Sequence, residues 1–319
     1  MENNRDLIYL AALLHDIGKF YQRADKGGVV NSIYLSDINK NESTFCPVYD
    51  SHYTHKHVLW TAQFIDDFQS VFRNLFKQHD ELTENDTLLK LVASHHLKEN
   101  QLSELGKIIK EADCLSSGMD REKDSELIDN QDVSGWDAFK KKRMVSILEG
   151  VNENKTQQYH LPVQPLSLSK ESFPQLNIIS DPDYKTLWES FIGEFKFIQS
   201  NTYRAFSETL LNLLSKYTST IPASTIDFPD VSLFDHLKTT ASIAICLYDN
   251  KRHESNSKNP FLLIGGDLSG IQPYIYQVVS KHAGKNLKGR SFYVRLLSDT
   301  IVRYLLKKLN LFEANIVYN

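Results

Sequence analysis

The chain has 319 residues, room for two domains and a sizeable core. Hydrophobic residues make up 41% and charged residues 24%, and the net charge is −4, which excludes a polycation coating nucleic acid over its whole surface; any basic patch must be local. Cys46, Cys114 and Cys246 stand far apart with no C-x-x-C pair, which argues against a zinc knuckle or a disulfide framework and fits a reduced, cytoplasmic compartment.

The apolar run Leu7–Leu14 is cut by His15-Asp16, too early for a membrane span. Leu7, Leu10, Leu13, Leu14 and Ile17 recur at helical spacing, predicting a buried helix that ends near Gly18. Residues 24–54, rich in Gly, Asn, Ser and Asp, read as a loop. Helices are predicted over 57–78, 86–97 and 102–115, so the opening region reads as all-α. Residues 116–135 are polar, a linker or surface loop. Strands are expected at 144–148 and 159–168, the second an edge because it carries two prolines. One long helix is predicted over 184–217 and another over 232–248, followed by a hydrophilic break at 250–259 that marks a domain boundary.

Beyond it the pattern changes. Residues 261–264 read as a buried strand, 271–280 and 291–309 as helices, and 314–318 as a second strand. That is the first half of a β-α-β unit, with a hydrophobic edge left unpaired. Either another chain completes it or the sequence belongs to a longer protein, and the second is favoured. The fold class is therefore α+β, with a helical domain over 1–250, a strand-containing insert near 143–170, and a truncated second domain over 260–319.

The chemistry concentrates at the first helix end. His15-Asp16 with Gly18-Lys19 gives H-D-x-G-K, and an imidazole beside a carboxylate at a helix terminus can face one divalent ion. His57 opens the next helix, His95-His96 ends another, and Asp113 lies in the one after, which supplies further ligands. Mixed His and carboxylate ligation suits transition metals better than calcium. A bound ion would activate water and neutralise phosphate charge, and Lys19 is placed to approach a phosphate as a point charge. His52 and His55 read as loop histidines, while His96 is balanced between ligand and exposed neighbour. Asp267 in Gly265-Gly266-Asp267-Leu268 lacks the second acid a cyclase turn needs, so it reads as a strand-to-helix turn with Asp267 capping the helix. Between Lys281 and Lys308 stand eight Lys or Arg against the single acid Asp299, and Lys281, Lys285, Lys288 and Arg290 sit in or beside an expected loop that could hold phosphate or RNA.

Seven segments together resemble the large HD–palm subunit of type III CRISPR–Cas effector complexes, of the Csm subtype, in its N-terminal portion. They are L-L-H-D-I-G-K-F (13–20), K-H-V-L-W-T-A-Q-F (56–64), S-H-H (94–96), A-D-C-L-S-S-G-M-D-R (112–121), S-L-F-D-H-L-K-T-T-A-S-I-A (232–244), G-D-L-S-G-I-Q-P-Y-I-Y (266–276) and K-G-R-S-F (288–292). The resemblance implies a circularly permuted HD domain that cleaves single-stranded DNA with a transition metal (manganese, nickel or cobalt), followed by the start of a ferredoxin-like palm. It implies His15, Asp16, His57, His95 and Asp113 as the metal set, with His236 of the displaced helix near the site. Asp267 to Gln272 would begin the first palm, with Ser269, Gly270 and Gln272 as neighbours of ATP. Guide RNA and other complex subunits would be the partners, and no membrane. The second palm and its acidic turn are absent, so these residues alone are not expected to polymerise a nucleotide. Two other readings remain open: a small-molecule nucleotide phosphohydrolase, and a catalytically silent scaffold.

Overall fold

The computed structural model describes residues 2–25, 32–75, 86–117, 138–151, 158–176, 178, 180–200, 202–225, 228–253, 259–277 and 282–318. The chain divides into two compact units, Met1–Asn256 and Ser257–Asn319. No helix among the described residues is long and apolar enough to cross a membrane.

The first unit is built around α1 (Glu2–Leu14), whose residues Leu7 to Leu14 are all buried. A helix apolar on every side belongs in the middle of a bundle. It packs against α6 (Leu88–Ala93), α7 (Glu104–Ser117) and α10 (Leu233–Arg252). Arg5 clamps α1 to α10, its guanidinium meeting both Asp249 oxygens at 2.8–3.1 Å. A second layer comprises α2 (Ile17–Ala24), α4 (His57–Asp67) and α8 (Tyr184–Phe195), with α2 packed on both others. An aromatic core joins them: Phe20, Phe64, Trp188, Phe191 and Phe195 pack with centroids 4.9–6.2 Å apart.

Several expected elements are corrected. The first helix does not end near Gly18: it stops at Leu14, His15 and Asp16 form a turn, and α2 starts at Ile17. Within 24–54 lie α3 (Ile38–Phe45), capped by Asp37, and a hairpin pairing Val48 with Tyr53 and Tyr49 with His52. Its turn residues Asp50 and Ser51 both take positive φ, the geometry that matches strand twist. The helix predicted over 57–78 breaks at Phe68 into α4 and α5 (Gln69–Leu75), and residues 76–78 lie outside the described residues. The one predicted over 184–217 is two, α8 and α9 (Tyr203–Thr218), because Thr202 caps a fresh start by accepting from Ala205 N at 3.2 Å. The strands at 144–148 and 159–168 reduce to isolated bridges, Val145 with His160 and His160 with Gln175. Pro162 and Pro165 carry no N–H to extend them. Most of the expected linker at 116–135, and 254–258 of the break, lie outside the described residues.

The second unit holds α11 (Ile271–Tyr276) and α12 (Ala283–Lys308) packed together, with Arg290 donating to the Tyr274 carbonyl and lying over its ring. Residues 261–264 form no strand and are exposed, and 313–315 are a 3-10 turn rather than part of a strand. A strand exists only through its ladder, and no described residue pairs with either segment. The expected basic loop before 291 is instead the first turns of α12, which puts Lys285, Lys288 and Arg290 on a helix, while Lys281 lies outside the described residues. Asp267 does not cap α11: Gly270 occupies that position in a left-handed conformation, φ 77°, with no side-chain cap.

Candidate metal centre

Four helices converge on the His15-Asp16 turn. α4 presents His57 from its first residue, the turn after α6 presents His95 and His96, α7 presents Asp113, and α10 presents His236. The carboxylate of Asp16 lies between two groups. On one side are His57, His95 and His96; on the other are His15, Asp113 and His236. Within each group, Asp16 included, one ligand atom per residue lies within 4.8 Å of all the others. His15, Asp16, His57, His95, Asp113 and His236 are all buried.

Asp16 Oδ2 stands 3.2 Å from His236 Nε2 and 3.4 Å from His15 Nε2, while Oδ1 stands 3.0 Å from His57 Nε2 and 3.7 Å from His95 Nε2. Asp113 Oδ1 reaches His236 at 3.2 Å and His15 at 3.5 Å. Two ligands each about 2.1 Å from a common ion stand roughly 3–3.5 Å apart, so the spacings are those of donors arranged around a cation. The hydrogen bonding agrees. His15 Nδ1 donates to the Ala12 carbonyl at 2.7 Å and His95 Nδ1 to that of Val92 at 2.8 Å, which leaves each Nε2 as a bare lone pair aimed inward. Two pairs of Nε2 atoms face one another at 3.2 Å, His15 with His236 and His57 with His96. Asp16 Oδ1 and His95 Nε2 are buried without a hydrogen-bond partner, His57 lying within reach of that oxygen but off the bonding direction. Orphaned buried acceptors are costly unless something cationic sits among them. The donor set therefore fits a divalent ion.

Electrostatics point the same way. Burial raises the Asp16 carboxyl, but Lys19, His15 and His57 outweigh it and hold Asp16 well below the usual carboxylate range. Asp113 is likewise held low against its burial by the imidazoles of His15 and His236 beside it. Burial pushes the His57 imidazole down to about 4 and those of His15 and His96 down as well, so all three are neutral near pH 7. His236 moves the other way: burial lowers it, but hydrogen bonds to Asp113 and Asp16 win and raise it.

The expected set His15, Asp16, His57, His95 and Asp113 is thus together in space, and Lys19 stands beside it with Nζ 2.8 Å from Asp16 Oδ2. His96, balanced in the sequence, joins the His57 side. His52 is exposed in the hairpin. His55, read as a loop histidine, is in a loop but carries a left-handed φ of 54° and lays its ring 4.0 Å from that of His96. Ser269, Gly270 and Gln272 belong to the second unit, at the exposed turn into α11. Sequence reasoning missed Ser116, whose hydroxyl lies 3.2 Å from His236 Nδ1, and Thr61, which holds the His15-Asp16 turn from α4. Their spacing was a readable signal: Thr61 is one helical turn after His57, and Ser116 one turn after Asp113.

Two family models match, the HD domain over residues 1–118 and the Csm1 subunit domain B over residues 260–319. A protein of Methanocaldococcus jannaschii named "CRISPR system single-strand-specific deoxyribonuclease Cas10/Csm1 (subtype III-A)" is 30% identical over 355 residues, covering 99% of this chain. The chain is homologous to the Cas10/Csm1 proteins. It spans 40% of that relative's length. A crystal structure of Csm1 from T. onnurineus superposes with a TM-score of 0.60 at 25% identity, over 99% of this chain and 38% of that one. A Csm1–Csm4 cassette solved with pppApA gives 0.58 at 25% identity, again over 99% and 38%. The HD and Csm1 likeness thus runs through both units, over a mostly helical fold.

Proposed function

We propose that this chain carries the metal-dependent nuclease centre of a type III-A Csm1 protein and cleaves single-stranded DNA. The observation that carries the reading is the shared carboxylate: Asp16 lies between two groups of inward-facing ligands, each able to hold one ion. Residues 1–250 form the HD domain in circularly permuted order, α10 returning His236 to helices from the start of the chain. Residues 260–319 begin a ferredoxin-like palm, with Ser269, Gly270 and Gln272 close to ATP in the whole protein. The relatives' names and titles support single-stranded DNA as substrate and a Csm4-type subunit and adenylate nucleotides as partners. Guide RNA follows from the same assignment.

His57, His95 and His96 would hold one ion and His15, Asp113 and His236 another, with Asp16 within reach of either group; manganese, nickel and cobalt suit these donors. When bound, the ions neutralise phosphate charge and activate water. The protein's part is positioning. The Ala12 and Val92 carbonyls fix two imidazoles, and the low carboxyls keep both aspartates ionised. Lys19, on Asp16 in this structure, is within reach to meet a phosphate oxygen once a cation compensates that carboxylate.

The test incubates the purified chain with labelled single- and double-stranded DNA in EDTA, Mn2+ or Ni2+, beside Asp16→Ala and a panel of free nucleotides. Metal-dependent cleavage of single strands alone, lost in Asp16→Ala, is the expected result. Nucleotide turnover without strand cleavage would assign the centre to a small-molecule phosphohydrolase, and metal binding with no turnover to a scaffold.

A further inference from the structure

Asp16 occupies the N-cap position of α2. An aspartate there ordinarily turns its carboxylate back to accept from an amide of its own first helical turn, because those amides have no partner inside the helix. Asp16 does not: its backbone sits at φ −108° and ψ 12° with no side-chain cap bond, and its oxygens face the imidazoles and Lys19. The orphan amide is satisfied from another helix. Gly18 N donates to Thr61 Oγ1 of α4 at 3.0 Å. The same hydroxyl donates to the His15 carbonyl at 3.1 Å and lies 3.4 Å from that of His57. Thr61 is fully buried.

We propose that Thr61 is a positioning residue that caps α2 in trans, and so releases the Asp16 carboxylate to the metal centre. The inference rests on the metal reading above. One hydroxyl joins the turn after α1, the start of α2 and the first turn of α4, the three places that carry His15, Asp16 and His57. Gly18 is the counterpart of this arrangement: a Cβ there would stand 2.1 Å from the His57 carbonyl oxygen and 2.4 Å from Thr61 Oγ1, so only glycine lets α2 approach close enough for the bond. Remove the hydroxyl, and the Gly18 amide is buried without a partner. The nearest remedy is a rotation of Asp16 back onto its own helix, which takes the shared carboxylate away from both ligand groups.

The experiment titrates Mn2+ into the full 319-residue chain by calorimetry, for wild type, Thr61→Val and Thr61→Ser, with the metal-free melting temperature of each recorded alongside. Thr61→Val keeps the shape and removes the hydroxyl, and its Mn2+ dissociation constant is expected to rise by about ten- to a hundredfold, the usual cost of losing a group that orients a ligand. Thr61→Ser keeps the oxygen and is expected to retain wild-type affinity. A Thr61→Val protein that melts lower yet binds Mn2+ as wild type does overturns the proposal, since it assigns the threonine to packing alone. Should Thr61→Val fail to fold, Thr61→Cys, with a weaker acceptor in the same place, is titrated in its stead; affinity below that of Thr61→Ser supports the proposal and equal affinity overturns it. A wild-type chain that binds no Mn2+ removes the metal reading and this inference with it, whereas unchanged binding by Thr61→Val removes this inference alone.

Discussion

Gly18 concentrates the residue-scale argument. Its substitution by Ala would drive a methyl group into the His57 carbonyl, and since that atom is backbone, α2 and α4 must part. We expect Gly18→Ala to lower stability by about 3 kcal/mol, the upper end of the usual overpacking cost, and to weaken Mn2+ binding as well; a denaturant melt beside a metal titration measures both. A variant as stable and as tightly binding as wild type would contradict the close approach. At this scale the sequence was largely readable. His15, Asp16, His57, His95 and Asp113 stand out because H-D-x-G-K closes an apolar helix and imidazoles and a carboxylate follow on the next helices, and the structure brings these side chains together. His96 and His236 were harder, since a histidine beside another or within a long helix looks the same whether it faces solvent, core or ion. Thr61 and Ser116 were missed for a different reason: a hydroxyl acts through one or two hydrogen bonds whose partners lie far away in sequence.

The helices are positioned by a core separate from the ligands. Phe191 of α8 is fully buried and its ring meets those of Phe20, Phe64, Phe195 and Tyr217. Phe191→Ala is expected to cost about 3–5 kcal/mol by transfer and cavity terms, while the surviving folded fraction keeps its metal affinity, because among the described residues that ring packs on aromatic side chains and on no ligand imidazole. Loss of affinity without loss of stability would contradict the division of labour. The misread elements have identifiable causes. The continuous helix over 184–217 breaks where Gln199, Ser200, Asn201 and Thr202 supply a start signal that apolar periodicity on either side conceals. The α12 start was set eight residues late because Lys and Gly in 284–290 read as a loop, though Lys is a good helix former. The expected strands failed because apolar runs propose strands but only a neighbouring ladder makes one, and periodicity carries no information about the neighbour.

At the scale of the whole molecule, the buried histidines tie fold stability to pH. His15, His57 and His96 have folded-state pKa values below the ordinary 6.5, that of His57 at about 4, because burial disfavours their charged forms. The unfolded chain therefore binds more protons than the folded one in this range, and their contribution, present above pH 6.5, is lost as pH falls toward 4. His236, raised by its carboxylate partners, works in the opposite sense, its contribution complete below the unfolded value and fading as pH rises. With these three and His160, lowered by burial as well, against one, the melting temperature of the metal-free chain is expected to fall between pH 7 and pH 5, measured in EDTA. A flat or rising profile would contradict the neutral, buried ligand set. Added Mn2+ should raise that temperature at pH 7, each bound ion adding about 2.7 kcal/mol of stability at a hundred times its dissociation constant.

The central claim is that the Asp16 cluster holds metal, and anomalous diffraction from crystals of the chain grown with Mn2+ tests it most directly. The account predicts strong peaks on both sides of the Asp16 carboxylate, one among His57, His95 and His96 and one among His15, Asp113 and His236. Ordered side chains with no anomalous peak beside Asp16, in crystals that contain Mn2+, would contradict it.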